Sequence, residues 1–245
     1  MSFNKLKLNA EKTNVMLMGT SARLSTLETP LEVELAGIKL KQNESRSETL
    51  LGVKIQSNLK WSEQIKCLVS KLQIRLAGLE KLKYVMNRQK RKPIVQGVFS
   101  SVLCYCIPLF GGCNQAEVEV LQTHQNRAAR IALQCPPRTN RDWMFDKLEW
   151  MTVLQLISYH TLVTIFRVRF YNEPEYLASK LSRDSRQGRI MLEDSRLDLH
   201  RRSFVYRGAI LWNRLPASVR KEKTLKKFKT SAKDWIQKNI KRFGL

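Results

Sequence analysis

Apolar residues along the chain follow two rhythms, and the change falls near Trp61. Before it, short apolar runs and alternations predominate. Val15-Met16-Leu17-Met18 is an apolar run ended by Gly19, the pattern of a buried strand. Leu31, Val33 and Leu35 alternate with Glu32 and Glu34, which predicts a strand with one wet face. Gly37 turns the chain, and Ile38 and Leu40 continue the alternation. A polar loop, Lys41 to Thr49, leads to a third strand through Leu51, Val53 and Ile55. These strands are too few to make a stable sheet by themselves, so residues 1–58 are expected to need a further partner segment on their N-terminal side.

From Trp61 the period becomes helical. Trp61, Ile65, Leu68, Leu72, Leu76 and Leu79 recur at three- and four-residue steps, with Asn58 or Ser62 placed to cap the helix. Its other face carries Lys66, Lys71, Arg75 and Lys81, and the pattern stops near Asn87. Pro93 fits a first helical turn, so Ile94 to Phe110 reads as a buried helix ended by Gly111-Gly112. An amphipathic helix from Gln115 to about Leu133 is broken by Cys135-Pro136-Pro137. Residues 141–181 read as helical again: Trp143, Phe145 and Leu148 in a short stretch, then Leu154, Ile157, Leu162, Ile165 and Phe166 along a longer one. Glu173-Pro174 separates the latter from a final turn around Tyr176-Leu177. Residues 182–203 are polar and Arg-rich, a linker or mobile-loop candidate with a short strand near Arg189 to Leu192. Thr224 to Ile240 is a basic amphipathic helix with Leu225, Phe228, Trp235 and Ile236 on its apolar side. The expected fold class is α+β, mainly α, and no internal repeat is present.

Charge changes the picture most. The 245 residues include 44 Lys and Arg against 21 Asp and Glu, a net charge of +23. The excess is concentrated: residues 180–245 carry +13 and residues 1–179 carry +10. A chain this basic repels itself unless a polyanion accompanies it, and nucleic acid is the leading candidate because its phosphates release counterions as Lys and Arg approach. A merely basic surface, or an anionic membrane surface, is the alternative reading. No apolar window is long enough to span a bilayer, and MSFNKLKLN has no signal-peptide core. Five cysteines, an odd number, fit a reducing compartment. The expected location is therefore intracellular, nuclear or cytoplasmic, with no membrane partner.

Two motifs near the N-terminus are more specific: LKLNAEKTNVMLMG at 6–19 and LLGVKIQSNLKW at 50–61. Their order and spacing resemble the end of the palm in reverse transcriptases of LINE-type (non-LTR) retrotransposons. The resemblance resumes at 148–181 and 203–236, where Tyr206-Arg207-Gly208-Ala209 is followed by Leu211-Trp212-Asn213-x-Leu215-Pro216. It implies a β-rich palm remnant at 1–58, thumb-like helices at 59–110, a helical connection at 111–181 and a basic linker with a C-terminal helix at 182–245. It also implies RNA-directed DNA synthesis, with Mg as the cofactor of the intact family, and a polymerase half carrying the aspartates that precedes Leu6. Lys12 would then lie near nucleotide phosphates or donate a proton. Gly52 would approach the primer strand, its alternative role being a tight turn or bulge. Lys66, Lys71 and Arg75 would meet phosphates of a template–primer duplex, their alternative role being a solvated helix face.

Chemistry that would act alone is absent from the sequence. Polymerisation needs paired carboxylates for two metals, and the nearest approach is Glu193-Asp194, which reads as solvated loop charge. No cofactor is expected in this chain. Cys104, Cys106, Cys113, His124 and Cys135 lack zinc-site spacing, and the cysteines read as buried thiols. There is no P-loop, G-x-G-x-x-G or Ser-His-Asp signature. The run Arg88, Lys90, Arg91 and Lys92 is a phosphate-contact or nuclear-import candidate. Arg207 and Arg214, interleaved with Phe204, Tyr206 and Trp212, could grip phosphates while rings stack on bases, though Trp212 and Phe204 fit a core better. The expected function is binding of RNA, DNA or an RNA–DNA hybrid without polymerisation by this stretch alone. A helical interaction or structural protein with a basic tail, and a non-functional product of a degraded mobile element, are the alternatives.

Overall fold

A turn of two residues, Leu51 and Gly52, shapes the first part of the molecule. Both have positive φ, +48° and +80°, the backbone that joins two antiparallel strands without splaying them. The turn links β3 (Ser47–Leu50) to β4 (Val53–Gln56), with Leu50 opposite Val53 and Ser47 opposite Gln56. A second hairpin pairs β1 (Val33–Leu35) with β2 (Ile38–Leu40) around Gly37, at φ +78°. The computed structural model describes residues 9, 13–26, 33–35, 37–40, 46–181, 188–192 and 197–240. They fall in two compact units, Met1–Gln64 and Ile65–Leu245, and the fold is α+β, mainly α.

The first unit departs from the sequence reading in several places. Residues 47–49, expected as loop, belong to a strand that runs to Leu50; Leu51, expected in a strand, is the turn and is 84% exposed. The apolar run from Val15 makes a single bridge at Val15 with no ladder beyond it, and Met18 is exposed. It is fastened instead by the Gly19 amide donating to the Ser57 carbonyl at 2.9 Å. A short helix, α1 (Ser21–Ser25), capped by Thr20, follows. Leu31 and Glu32 lie outside the described residues. The first turn of α2 (Ser62–Leu82) is closed by neither Asn58 nor Ser62. Gln56 Oε1 accepts from the Glu63 amide and from the Ser62 hydroxyl, both at 3.1 Å, while Asn58 holds the Lys60 amide.

In the second unit α2 continues with Ile65, Leu68, Leu72, Leu76 and Leu79 buried, as the period predicts. Next comes α3 (Arg88–Leu103), whose N-cap is Asn87; Pro93 lies inside it rather than at its start. The expected single helix to Phe110 breaks at Cys104–Cys106. Cys104 C-caps α3, Cys106 adopts φ +53°, and α4 (Ile107–Phe110) is a separate turn. Helix α5 (Gln115–Leu133) carries a full capping box between Asn114 and Glu117, and α6 (Arg141–Leu148) follows.

Helix α7 (Val153–Tyr171) is the packing centre. A Thr152–Gln155 capping box starts it, and ten of its residues are buried. After Pro174 comes α8 (Glu175–Leu181), a longer helix than the expected turn. The chain then forms α9 (Asp198–Arg201), α10 (Phe204–Arg214), α11 (Ala217–Arg220) and α12 (Leu225–Asn239). Helices α4, α5, α8, α10 and α12 all pack against α7, and α3 packs against α5. The core is tied by stacked rings: Trp212 on Phe228 at 5.7 Å, Phe228 on Phe166 at 4.4 Å, and Phe166 on Phe170 at 4.4 Å. Offset ring pairs of this kind add about 0.5–1.5 kcal/mol each beyond their burial. At 189–192 the expected strand is a single bridge residue, Ile190.

Candidate functional site

Helix geometry decides which predicted basic residues can act together. At 3.6 residues per turn, Lys71 and Arg75 (i, i+4) share one edge of α2, both exposed. Lys66, also exposed, lies about half a turn round from Arg75. Exposed Ile74 and Gly78 occupy the arc between them. The three therefore form one edge pair and one separate position. Among the described residues, no carboxylate lies within ion-pair distance of Lys71 or Arg75.

The run at 88–92 is the first turn and a half of α3. Arg88 and Lys90 are exposed, and Lys92 sits 3.5 Å from Glu149. Arg91 points inward: it is 5% exposed and its Nη2 donates to the Met86 carbonyl at 3.2 Å. Cations at a helix N-terminus oppose the helix dipole, and the Asn87 side chain, which accepts from the Gln89 amide at 2.8 Å, offsets part of that cost. Gly52 sits in the exposed hairpin turn, which accounts for its glycine. Lys12, Glu193 and Asp194 lie outside the described residues.

A further basic surface lies on α12. Phe228, Ala232 and Ile236 face the core, while Lys226, Lys227 and Lys238 are exposed and Lys229 and Lys233 half-buried. Asp234 is the one acidic residue of that helix. Lys229 reaches α7 electrostatically: burial first, and then the Lys229 charge, lower the pKa of His160 below the ordinary imidazole range. The sequence showed this helix as basic and amphipathic, but not that five of its cations would escape pairing with described carboxylates.

The Tyr206–Pro216 signature is a packing device. Gly208 brings α10 onto α7 so closely that an added Cβ would meet Ile165 Cδ1 at 2.5 Å. Trp212 is 1% exposed and donates to the Gly188 carbonyl at 3.1 Å. Asn213 accepts from the Ile190 amide and donates to the Ile190 carbonyl, both at 2.8 Å. Arg220 Nη1 donates to the carbonyls of Asn213 and Leu215, both at 3.0 Å, closing the end of α10. Arg214 is exposed beside it, and Phe204 packs partly buried against the core.

Arg207 turns inward to the Gly111-Gly112 corner. Its Nε donates to the Arg202 carbonyl at 3.1 Å and its Nη2 to the Pro108 carbonyl at 3.3 Å. Both glycines are required there. A Cβ at residue 111 would lie 2.6 Å from Ile157 Cγ2 and 3.0 Å from Arg207 Nη1, and one at residue 112 would lie 2.5 Å from the Arg202 carbonyl oxygen. Burial pulls the Arg207 pKa down to about 10. The neighbouring Cys113 thiol is pushed up to about 12, by burial first and then by Glu117, with Arg207 pulling the other way; burial takes Cys104 to about 11. Both thiols are protonated at neutral pH. Beside Arg207 a cleft of about 290 Å³ opens between α7 and α10, and its residues include Ser158, Thr161 and Tyr206. The double glycine was the sequence's sole signal for this corner; nothing in the sequence marked the cleft.

Among the described residues no group of three or more His, Cys, Asp or Glu could hold a metal ion, and no single helix is long and apolar enough to cross a membrane. No protein-family profile, curated protein or solved structure matches the chain.

Proposed function

We propose that this chain binds RNA, DNA or an RNA–DNA hybrid through backbone phosphates, without reading sequence and without polymerising by itself. One observation carries the reading. Part of the net charge of +23 lies on helix surfaces, the Lys71–Arg75 edge of α2, Arg88 and Lys90 of α3, and the outer side of α12, where described carboxylates do not neutralise it. Lysines and arginines held on rigid helices meet phosphates with little further ordering cost, and phosphate contacts position a protein without specifying bases. The resemblance of residues 6–19, 50–61 and 203–236 to LINE-type reverse transcriptases supports the same reading and supplies its origin: part of an RNA-directed DNA polymerase of a mobile element. In that setting, the metal-binding aspartates belong to a polymerase half that this stretch does not contain, and Mg serves that half.

The test is a titration of the purified chain with a fluorescent RNA–DNA hybrid at several salt concentrations. Binding should weaken steeply between about 50 and 200 mM salt, with a slope reporting several phosphates neutralised. Absence of binding at the lowest salt would sink the proposal. Binding to an acidic protein with no binding to the hybrid would favour the scaffold alternative.

A further inference from the structure

Three large apolar side chains stand out into solvent where α2 gives way to α3. Leu82 is 53% exposed, Tyr84 79% and Val85 83%. Single exposed apolar residues need no explanation; three within four positions of one turn call for an occupant. The turn is anchored. The Val85 and Met86 amides both donate to the Leu82 carbonyl at 3.0 Å. Gln134 of α5 donates to the Lys83 carbonyl at 2.8 Å, and buried Arg91 donates to the Met86 carbonyl at 3.2 Å. The tyrosine is thus carried on backbone that is fixed on both sides of it. Lys83 Nζ lies over the ring, 4.8 Å from its centroid, and at 79% exposure the residue leaves the opposite face to solvent.

The charge around the turn selects the occupant. Residues 81–92 contain six Lys and Arg and no Asp or Glu. Glu80, just before them, is taken up by Lys83 and Arg127, and Glu149 by Lys92. Lys81 and Arg88 are exposed and pair with no carboxylate among the described residues. They stand three and four residues from Tyr84, so their Cα atoms lie within about 11 and 14 Å of its own. An open aromatic face flanked by such cations matches single-stranded nucleic acid, whose bases stack on rings while its phosphates meet Lys and Arg.

We propose that the α2–α3 corner is a stacking platform for an unpaired base of a single-stranded segment, with Tyr84 as the platform and Lys81 and Arg88 holding the flanking phosphates. This rests on the phosphate-binding reading above and deepens it: the helix surfaces grip backbone, and the corner favours strand that has left its duplex. A base is taken by its face, so the platform does not select sequence.

The experiment titrates the full chain, at one low salt concentration, with three fluorescent ligands: a blunt RNA–DNA hybrid, the same hybrid with a short single-stranded extension, and that extended hybrid with the extension made abasic. The base-bearing extension should bind about tenfold tighter than the abasic one, the worth of one stacked base. Tyr84→Ala should erase that difference and leave the affinity for the blunt hybrid unchanged, while Tyr84→Trp should keep it. Both variants should melt with the parent, since the position is exposed. If the blunt hybrid binds but base-bearing and abasic extensions bind equally, or if Tyr84→Ala keeps the preference, the platform is overturned and the phosphate reading stands. No binding of any of the three would sink both. A parent that sediments as a dimer, with a Tyr84→Ala variant that sediments as a monomer, would give the patch to a second copy of the chain and overturn the platform as well.

Discussion

Asn213 shows how much one side chain can settle. Its amide meets both backbone groups of Ile190, so it pairs with that residue as a neighbouring strand would. An aspartate is nearly isosteric but cannot donate when ionised. Asn213→Asp should keep the bond from the Ile190 amide, oppose the Ile190 carbonyl, and cost about 1–3 kcal/mol in urea denaturation at neutral pH. The sign with pH is specific. A protonated carboxyl can donate again, so the folded-state pKa of the introduced carboxyl is raised, and the variant's deficit should shrink as pH falls through the carboxylate range. A variant as stable as the parent at neutral pH would show that the clasp contributes nothing. Arg91 and Arg207 teach the converse point. Both were candidate phosphate contacts by residue type, and both spend donors on carbonyl oxygens inside the protein. Guanidinium groups suit helix ends and corners for the same planar, many-donor reason that they suit phosphates, so composition alone cannot separate the two uses.

At the scale of elements, the exposed edge of α2 yields the clearest expectation. Lys71 and Arg75 stand together and Lys66 stands apart, so Lys71→Ala with Arg75→Ala should weaken hybrid binding more than Lys66→Ala does. The loss should be uniform across sequences, the salt slope should fall by about one per phosphate contact removed, and the melting curve should stay within surface-substitution error. An unchanged titration would remove α2 from the interface. The helices with the strongest local signals were legible before any coordinates. The amphipathic pattern from Gln115 to Leu133 gave α5, whose Asn114–Glu117 box the structure adds, and the apolar stripe with Thr224 sets α12. The missed elements lacked such signals. Strand β3 (Ser-Glu-Thr-Leu) is polar on both sides and owes its structure to pairing with β4. The break between α3 and α4 falls in an apolar stretch where a cysteine, not a glycine, takes the left-handed conformation. Pro93 read as a helix start because the Asn87 cap, six residues earlier, stood before the polar, basic run Arg88 to Lys92. The cleft was illegible because its residues come from 111, 154–161 and 201–211 and meet only in the fold.

The whole molecule is two unequal bodies. Among its described residues the first unit buries two apolar side chains, Leu40 and Val53, and two isolated hairpins are marginal in water. The second has a continuous core around α7. A fragment of residues 60–245, which keeps α2 whole, should therefore unfold cooperatively in urea with a helical circular dichroism spectrum, whereas residues 1–64 alone should show no transition; a fragment 60–245 without a cooperative transition would refute this division. The second unit also closes over a long span of chain. Gln155 Nε2 donates to the carbonyl of Ile240 at 3.0 Å, and α12 covers α7 with Phe228, Ala232 and Ile236. Contacts so distant along the chain form late. On the ribosome, the flank of α7 that α12 covers must stay open until residue 240 has emerged, and throughout that interval it is a natural client for chaperones.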